Sequence, residues 1–273
     1  MICFPNAKIN LGLNIVSKRS DGYHNLETVF YPIGIKDALE IIVKEEQTID
    51  TFFEAGIKID SSSEDNLVMK ALRLMRGHYD FPALEIHLLK AIPFGAGLGG
   101  GSADASFMLR LINDTFRLGA TNEELASLAV KLGADCPFFI YNHPVFASGI
   151  GEVFENIELS LSDYTFVLVK PDIHVSTKDA FGGIAPIHPT HSLKEIVKQP
   201  VPDWRGLMVN DFENTVFRKY PSIEAIKDKL YMLGALYASM SGSGSSVYAI
   251  FNDKPENIDS LFPGCFIWIG KGL

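Results

Sequence analysis

The sequence predicts a soluble protein that mixes β-strands with amphipathic helices, in one large domain or two ordinary ones. Three observations predict it. Runs of period two alternate with runs whose apolar residues recur three and four apart. The chain has 273 residues, long enough for either arrangement. Hydrophobic residues make up 47% and charged residues 21%, a balance that fills a sizeable core. No apolar run approaches the roughly 20 residues of a membrane span. The opening Met1-Ile2-Cys3-Phe4-Pro5-Asn6 lacks the order of a signal peptide, so a cytoplasmic protein with no membrane partner is expected.

From Ala7 to Ile15, the apolar Ile9, Leu11, Leu13 and Ile15 alternate with Lys8, Asn10, Gly12 and Asn14. This is the signature of a strand with one apolar face and one bearing an ammonium, two amides and a glycine. Ser20-Asp21-Gly22 signals a turn, Tyr23-His24 follows, and Thr28 to Ile35 and Leu39 to Val43 read as strands. Asp65 to Met75 reads as a helix capped by Asp65, with Leu67, Val68, Ala71, Leu72 and Met75 on one side. Leu84 to Leu88 is a strand, and Ala103 to Ile112 a helix that buries Ala105, Met108, Leu109 and Ile112. Thr121-Asn122-Glu123-Glu124 forms a capping box that opens another helix, closed by Gly133.

Composition changes after Gly149-Ile150-Gly151, and a domain boundary is expected near Ser160. Phe166 to Val169 is a buried strand. The proline-bearing stretch from Gly182 to Pro202 is irregular or built of short helices. Ser222 to Leu233 is a helix closed by Gly234. Leu236 to Met240, a glycine-serine loop, a strand from Val247 to Phe251 and another around Phe266 to Ile269 complete the chain.

The three cysteines, Cys3, Cys136 and Cys265, are widely spaced and form no CxxC pair, so reduced, mostly buried thiols are expected. The net charge of −9 and the absence of a dense basic run argue against a nucleic-acid partner. A bound nucleotide would therefore need local neutralisation, by oriented amides, a few cations and a metal ion.

The segment suited to that task is Pro93-Phe94-Gly95-Ala96-Gly97-Leu98-Gly99-Gly100-Gly101-Ser102-Ala103, with five glycines between an expected strand and an expected helix. Without side chains, successive N–H groups can turn toward an anion, and the helix adds unpaired N–H groups and the positive end of its dipole. Ser102 can cap that helix or reach a phosphate or metal ion. Gly95, Gly97 and Gly100 fit a GxGxxG pattern, but the loop lies some ninety residues into the chain with no acid at a following strand end. No Gly-Lys-Ser/Thr follows the glycines either, which excludes the lysine-bearing P-loop.

These residues resemble the GHMP kinases. Ala7-Lys8-Ile9-Asn10-Leu11, the glycine loop and Met240-Ser241-Gly242-Ser243-Gly244-Ser245 match that family's three motifs in order, over nearly the whole chain. Asp21-Gly22-Tyr23-His24, Gly99-Gly100-Gly101-Ser102, Gly133-Ala134-Asp135-Cys136-Pro137-Phe138-Phe139 and Asn210-Asp211-Phe212-Glu213 narrow the resemblance to a branch whose acceptor is a cytidine diphosphate ester of methylerythritol. The resemblance implies an α+β fold. Residues 1–160 would form an N-terminal α/β domain like domain 2 of ribosomal protein S5, and residues 161–273 a ferredoxin-like α+β domain. It also implies ATP and Mg²⁺, a small-molecule acceptor, and a monomer or homodimer.

Residue by residue, the resemblance makes Pro93 to Ala103 the ATP cradle and Lys8 the cation that reaches γ-phosphate and acceptor hydroxyl. Asp135 becomes the group that takes or orients the hydroxyl proton. Spacing alone equally supports Asp135 as an N-cap before Pro137; the two roles are compatible. A neighbouring Lys8 would keep that carboxylate ionised. Asn10 shares the Lys8 face and binds the acceptor, and Tyr23 and His24 match cytidine-binding positions. Phe181 is a candidate second aromatic for cytosine and Lys178 a candidate contact to the diphosphate. Gly242-Ser243-Gly244-Ser245 reads as a glycine-rich hairpin or as a loop that faces the nucleotide phosphates or the methylerythritol end, with Gly242 and Ser243 as substrate contacts. No metal ligand is assigned: Asp211 and Glu213 are charged residues ahead of a helix, which are usually caps or solvated. A sibling kinase acting on homoserine, mevalonate or a sugar, and a catalytically silent nucleotide-binding protein, are the competing readings. Tyr23-His24 argues against the first and the retention of Lys8 and Asp135 against the second.

Asp135→Ala and Lys8→Ala are each expected to fold normally and to lose at least about a hundredfold in kcat, a general-base magnitude. Near-normal turnover by either variant in steady-state assays removes that residue from the mechanism.

Overall fold

A computed structural model describes residues 1–58, 65–184, 186 and 189–273. In chain order it contains β1 (Ile2–Cys3), β2 (Asn6–Lys18), β3 (His24–Lys36), β4 (Ala38–Lys44), β5 (Thr51–Gly56), α1 (Leu67–Arg76), β6 (Ala83–Lys90) and α2 (Gly100–Phe116). Then follow α3 (Asn122–Ala129), α4 (Cys136–Tyr141), β7 (Val145–Ser148), β8 (Val153–Asn156), β9 (Thr165–Lys170), α5 (Thr177–Phe181) and α6 (Leu193–Ile196). A 3₁₀ turn at Val201–Trp204, α7 (Phe212–Lys219), α8 (Pro221–Met232), β10 (Tyr237–Met240), β11 (Val247–Phe251), α9 (Ile258–Leu261) and β12 (Phe266–Gly270) complete it.

The chain packs as two compact units that interleave in sequence. The first comprises Met1–Ala7, Ile35–Phe94 and Gly99–Asn142, and the second Lys8–Gly34, Gly95–Leu98 and His143–Leu273. β3 pairs with β7, so the hairpin of β2 and β3 groups with the later chain.

In the first unit the sheet order is β1-β4-β6-β5. β4 and β6 are antiparallel and β5 and β6 parallel, the latter joined through α1 as a βαβ unit. Leu39 and Ile41 of β4 and Leu84, Ile86 and Leu88 of β6 meet Val68, Ala71, Leu72 and Met75 of α1 and Met108, Leu109 and Ile112 of α2. The apolar stripes expected of both helices are the ones buried. Their caps differ from expectation. Asn66, not Asp65, caps α1, its Oδ1 accepting the Val68 N–H at 2.9 Å while Nδ2 donates to Glu54 at 3.0 Å. An amide can do both where a carboxylate cannot donate. α2 begins before Ser102, which lies inside the helix, and its N-cap is Gly99 with φ of 70°. The Thr121–Glu124 capping box forms in both directions, and that helix closes at Val130, ahead of Gly133.

The second unit holds two four-stranded sheets, β2-β3-β7-β8 and β10-β11-β9-β12. Leu13 and Ile15 of β2 join Val167, Val169, Val247, Ala249 and Met240 of the second sheet and Ile223, Ile226 and Leu230 of α8 in one core. Gly234, with φ of 93°, ends α8 in the left-handed conformation expected of it. The Gly182–Pro202 stretch contains α6 and begins the 3₁₀ turn, with 185, 187 and 188 outside the described residues.

Asn210-Asp211-Phe212-Glu213 ties these parts together. Asp211 Oδ2 accepts the Ile15 N–H at 2.7 Å, while Asn210 Nδ2 donates to the Met240 and Gly242 carbonyls, each at 2.8 Å. Glu213 accepts from Met240 N–H at 2.8 Å, Ser239 Oγ at 3.1 Å and Lys227 Nζ at 2.6 Å. Replacing Glu213 with Ala strands a buried N–H and hydroxyl, so a loss of about 2–4 kcal/mol in urea unfolding is expected. An unchanged midpoint contradicts this account of Glu213.

Candidate active site

β2 is almost wholly buried, including its polar face, with Lys8, Asn10 and Asn14 at 4%, 2% and 5% exposure. Burial of an ammonium and two amides at one strand is costly unless each is paired. Lys8 Nζ donates to Asn10 Oδ1 at 2.7 Å and lies 4.6 Å from the centroid of the Phe30 ring. Asn10 Nδ2 donates to Thr28 Oγ1 at 3.0 Å, and that hydroxyl donates to the Gly12 carbonyl at 2.5 Å. Asn10 therefore fixes the Lys8 ammonium, and Thr28 on the neighbouring strand fixes Asn10. Thr28 was not legible as a site residue, because only the register of β2 against β3 places it there.

The glycine loop's first half is fastened to this strand. Lys8 N–H donates to the Leu98 carbonyl at 3.0 Å. Ser241 Oγ donates to the Gly97 carbonyl at 2.7 Å and accepts the Asn10 N–H at 3.3 Å. The second glycine loop, Met240 to Ser245, thus lies against Gly95–Leu98, and Gly242 falls on the Asn10 side chain and Gly97. Gly97, with φ of 74°, admits no side chain: a Cβ there would collide with the Ser241 carbonyl. Ser243 sits partly exposed in the turn of the same loop. Lys8, Asn10, Gly95 to Leu98, Gly242 and Ser243 are thereby brought together.

At the other end of the β2–β3 hairpin the rings of His24 and Phe181 stack, centroids 4.8 Å apart and planes 20° from parallel. Phe212 meets Phe181 edge-on at 4.8 Å. Ser176 caps α5 by accepting the Asp179 N–H at 3.0 Å, which sets the direction of Phe181. Tyr23 is 62% exposed beside His24, its N–H held by Asp21 Oδ1 at 3.1 Å. Lys178 is exposed on α5.

In the first unit, Gly99 to Ala103 form the start of α2, preceded in the same unit by Pro93 and the 59% exposed Phe94. α4 packs against this helix. Ser106 Oγ contacts both the Ser102 carbonyl at 2.9 Å and the Cys136 carbonyl at 2.7 Å, which locks the two helix N-termini together. Asp135 occupies the N-cap position of α4, ahead of Pro137, as the spacing predicts. Its side chain makes no capping hydrogen bond to that helix, so capping does not orient the carboxylate. Burial pushes the Cys136 thiol up to about 11, partly offset by hydrogen bonds with Ser102 and Ser106, so it is no nucleophile at neutral pH. Of the other thiols, Cys3 and Cys265 are only partly buried.

Among the described residues, no group of three or more His, Cys, Asp or Glu could hold a metal ion, and no helix is long and apolar enough to cross a membrane. Asp211 and Glu213 are occupied as described above.

The segments that carry the first glycine loop with the start of α2, and the second glycine loop, match a family by sequence as well. Profiles described as "GHMP kinases N terminal domain" and "GHMP kinases C terminal" match residues 66–143 and 192–259, and the chain belongs to the GHMP kinases. Membership implies ATP as the phosphoryl donor. The α+β fold expected from the resemblance is the fold found. Among curated relatives, a Parabacteroides distasonis protein called 4-diphosphocytidyl-2-C-methyl-D-erythritol kinase is 58% identical over 273 residues, covering 99% of each chain. A Porphyromonas gingivalis protein of the same name is 52% identical over 270 residues, covering 98% of each. A crystal structure titled 4-(cytidine 5'-diphospho)-2C-methyl-D-erythritol kinase superposes with a TM-score of 0.84 at 28% identity, covering 100% of this chain and 99% of that one. The Methanococcus jannaschii mevalonate kinase shares the fold, with a TM-score of 0.75 at 15% identity over 100% and 98% of the two chains.

Because the clash at Gly97 is with backbone, Gly97→Ala is expected to raise the KM for ATP at least about tenfold, a loss of about 1.4 kcal/mol in binding. An unchanged KM in steady-state assays shows that the contact with Ser241 does not set the loop.

Proposed function

We infer that this chain is a kinase that transfers the γ-phosphoryl group of ATP to the 2-hydroxyl of 4-diphosphocytidyl-2-C-methyl-D-erythritol, in the non-mevalonate route to isoprenoid precursors. The observation that carries the reading is the bond from Lys8 N–H to the Leu98 carbonyl. It fastens the glycine loop to the strand that also presents the Lys8 ammonium and the Asn10 amide. The acceptor is supported by relatives of that name matching over nearly their full length, and by the His24–Phe181 ring pair. A cytosine base can stack on such a pair, whereas mevalonate, homoserine and simple sugars carry no base. We place the family's N-terminal and C-terminal domains at residues 1–160 and 161–273.

Phosphoryl transfer asks little covalent chemistry of the protein: an in-line geometry, compensation of phosphate charge, and a group for the hydroxyl proton. The amides of the glycine loop and the start of α2 hold the phosphates. The Lys8 ammonium, aimed by Asn10, compensates the charge that develops on the transferred group. Asp135 accepts or orients the hydroxyl proton. Asn10, Gly242 and Ser243 line the acceptor, Tyr23, His24 and Phe181 hold its base, and Lys178 meets the diphosphate. The backbone N–H groups of the loop suit phosphate oxygens rather than a cation. A Mg²⁺ arriving with ATP would therefore be held largely by phosphate oxygens and water, and would supply further charge neutralisation.

A coupled ADP-release assay with a panel of acceptors tests the assignment. Turnover with the cytidine diphosphate substrate, and none with mevalonate or homoserine, is expected. Turnover with mevalonate alone reverses the choice of acceptor.

A further inference from the structure

Beneath the start of α2 lies a charged cluster that the chemistry above does not use. Lys90 ends β6, Asp37 lies between β3 and β4, and Asp104 lies one turn into α2. Their side chains are 2%, 0% and 3% exposed. Lys90 Nζ donates to Asp104 Oδ2 at 2.6 Å and to Asp37 Oδ2. Asp37 Oδ1 accepts the N–H groups of Ala91 and Ile92 at 2.6 and 2.8 Å. Asp104 Oδ1 has no hydrogen-bond partner among the described residues.

A buried ion pair is a poor source of stability, because desolvation offsets most of the attraction, and an apolar replacement is often neutral. What this cluster does have is position. Lys90, Ala91 and Ile92 are the residues that lead into the glycine loop, and Asp104 follows directly after Ala103 at its exit. One ammonium and one carboxylate thus grip both feet of the loop. The fit is close: a Cβ at Gly100 would lie 2.8 Å from Ile92 Cγ2 and 3.5 Å from Lys90 Nζ.

We propose that Asp104, through Lys90 and Asp37, is a positioning residue for the nucleotide: it holds the two feet of the glycine loop at a fixed separation, so that the N–H groups at the start of α2 are aimed before phosphate arrives. The proposal rests on the reading of this loop as the ATP site. Charge supports it. Asp37 accepts three hydrogen bonds. Burial pushes the Asp104 carboxyl up to about 8 against the pull of Lys90, which favours its neutral form and keeps added negative charge from beneath an anion site. Asparagine at 104 reproduces that neutral form and can still accept from Lys90.

The test is steady-state kinetics with ATP and acceptor varied separately, alongside urea unfolding, for Asp104→Asn and Asp104→Leu. Asp104→Leu leaves the Lys90–Asp37 pair intact but cuts the tie. It is expected to raise the KM for ATP at least about tenfold, as a misplaced binding group does, with the acceptor KM within about twofold. Asp104→Asn is expected to stay within about threefold of the parent in ATP KM. A folded Asp104→Leu with the parent's ATP KM overturns the proposal, as does a rise of both KM values together. Should Asp104→Leu not fold, Asp104→Ser, too short to reach Lys90, decides by the same criterion. Gly101→Asp separates this proposal from the reading beneath it, because it puts a carboxylate at the anion site with the tie intact. An unchanged ATP KM there would mean that the nucleotide binds elsewhere, whatever Asp104 does.

Discussion

Leu98 gives its carbonyl to the N–H of Lys8, and most of the candidate chemistry depends on that single bond at 3.0 Å. With a net charge of −9, the protein's overall field opposes a nucleotide, so positive potential has to be assembled at one place. Two sources are available within the fold: an ammonium, and peptide N–H groups pointed in a common direction. The first is buried on β2 and the second begins in the glycine loop. A loop of this composition has little stiffness of its own, so its direction has to come from its neighbours. The β2 backbone on one side and Ser241 on the other provide it, and Gly97 is the point at which the approach leaves no room for a side chain.

The same logic explains why so much polarity is buried around β2. Lys8 is aimed by Asn10, Asn10 by Thr28, and Thr28 by a backbone carbonyl, so each group has a partner and a fixed orientation. A charged group held in this way needs no reorganisation when charge develops on a transferred phosphoryl group, which is where preorganised electrostatics contributes most. In the first unit, α2 and α4 are bound through Ser106, and the carboxylate of Asp135 is left out of helix capping.

Much of this was legible in the sequence. Alternation from Ala7 to Ile15 put Lys8 and Asn10 on one face, and five glycines between a strand and a helix marked a candidate anion site. The parts that were not legible share a cause: they depend on pairing between distant segments. Thr28 looks like any strand threonine until β2 and β3 are in register. Asn210 and Glu213 read as charged or polar residues ahead of a helix, yet they hold the second glycine loop through Met240 and Gly242. The β5 segment, Thr51 to Gly56, is mostly exposed and shows no alternation that would betray a strand. Ser102 reads as a cap or as a phosphate or metal contact, and three glycines before it allow the helix to start earlier, at a left-handed Gly99. Asp65 lost the cap of α1 to Asn66, whose amide could serve Glu54 as well.

The central claim is that ATP phosphates are held by the N–H groups where the glycine loop becomes α2. A crystal structure of the protein with a non-hydrolysable ATP analogue and Mg²⁺ tests it most directly. Phosphate oxygens within hydrogen-bond distance of the backbone nitrogens of Gly99 to Ser102 are the expected result. Well-ordered analogue density with its phosphates on any other segment of the chain would contradict the account.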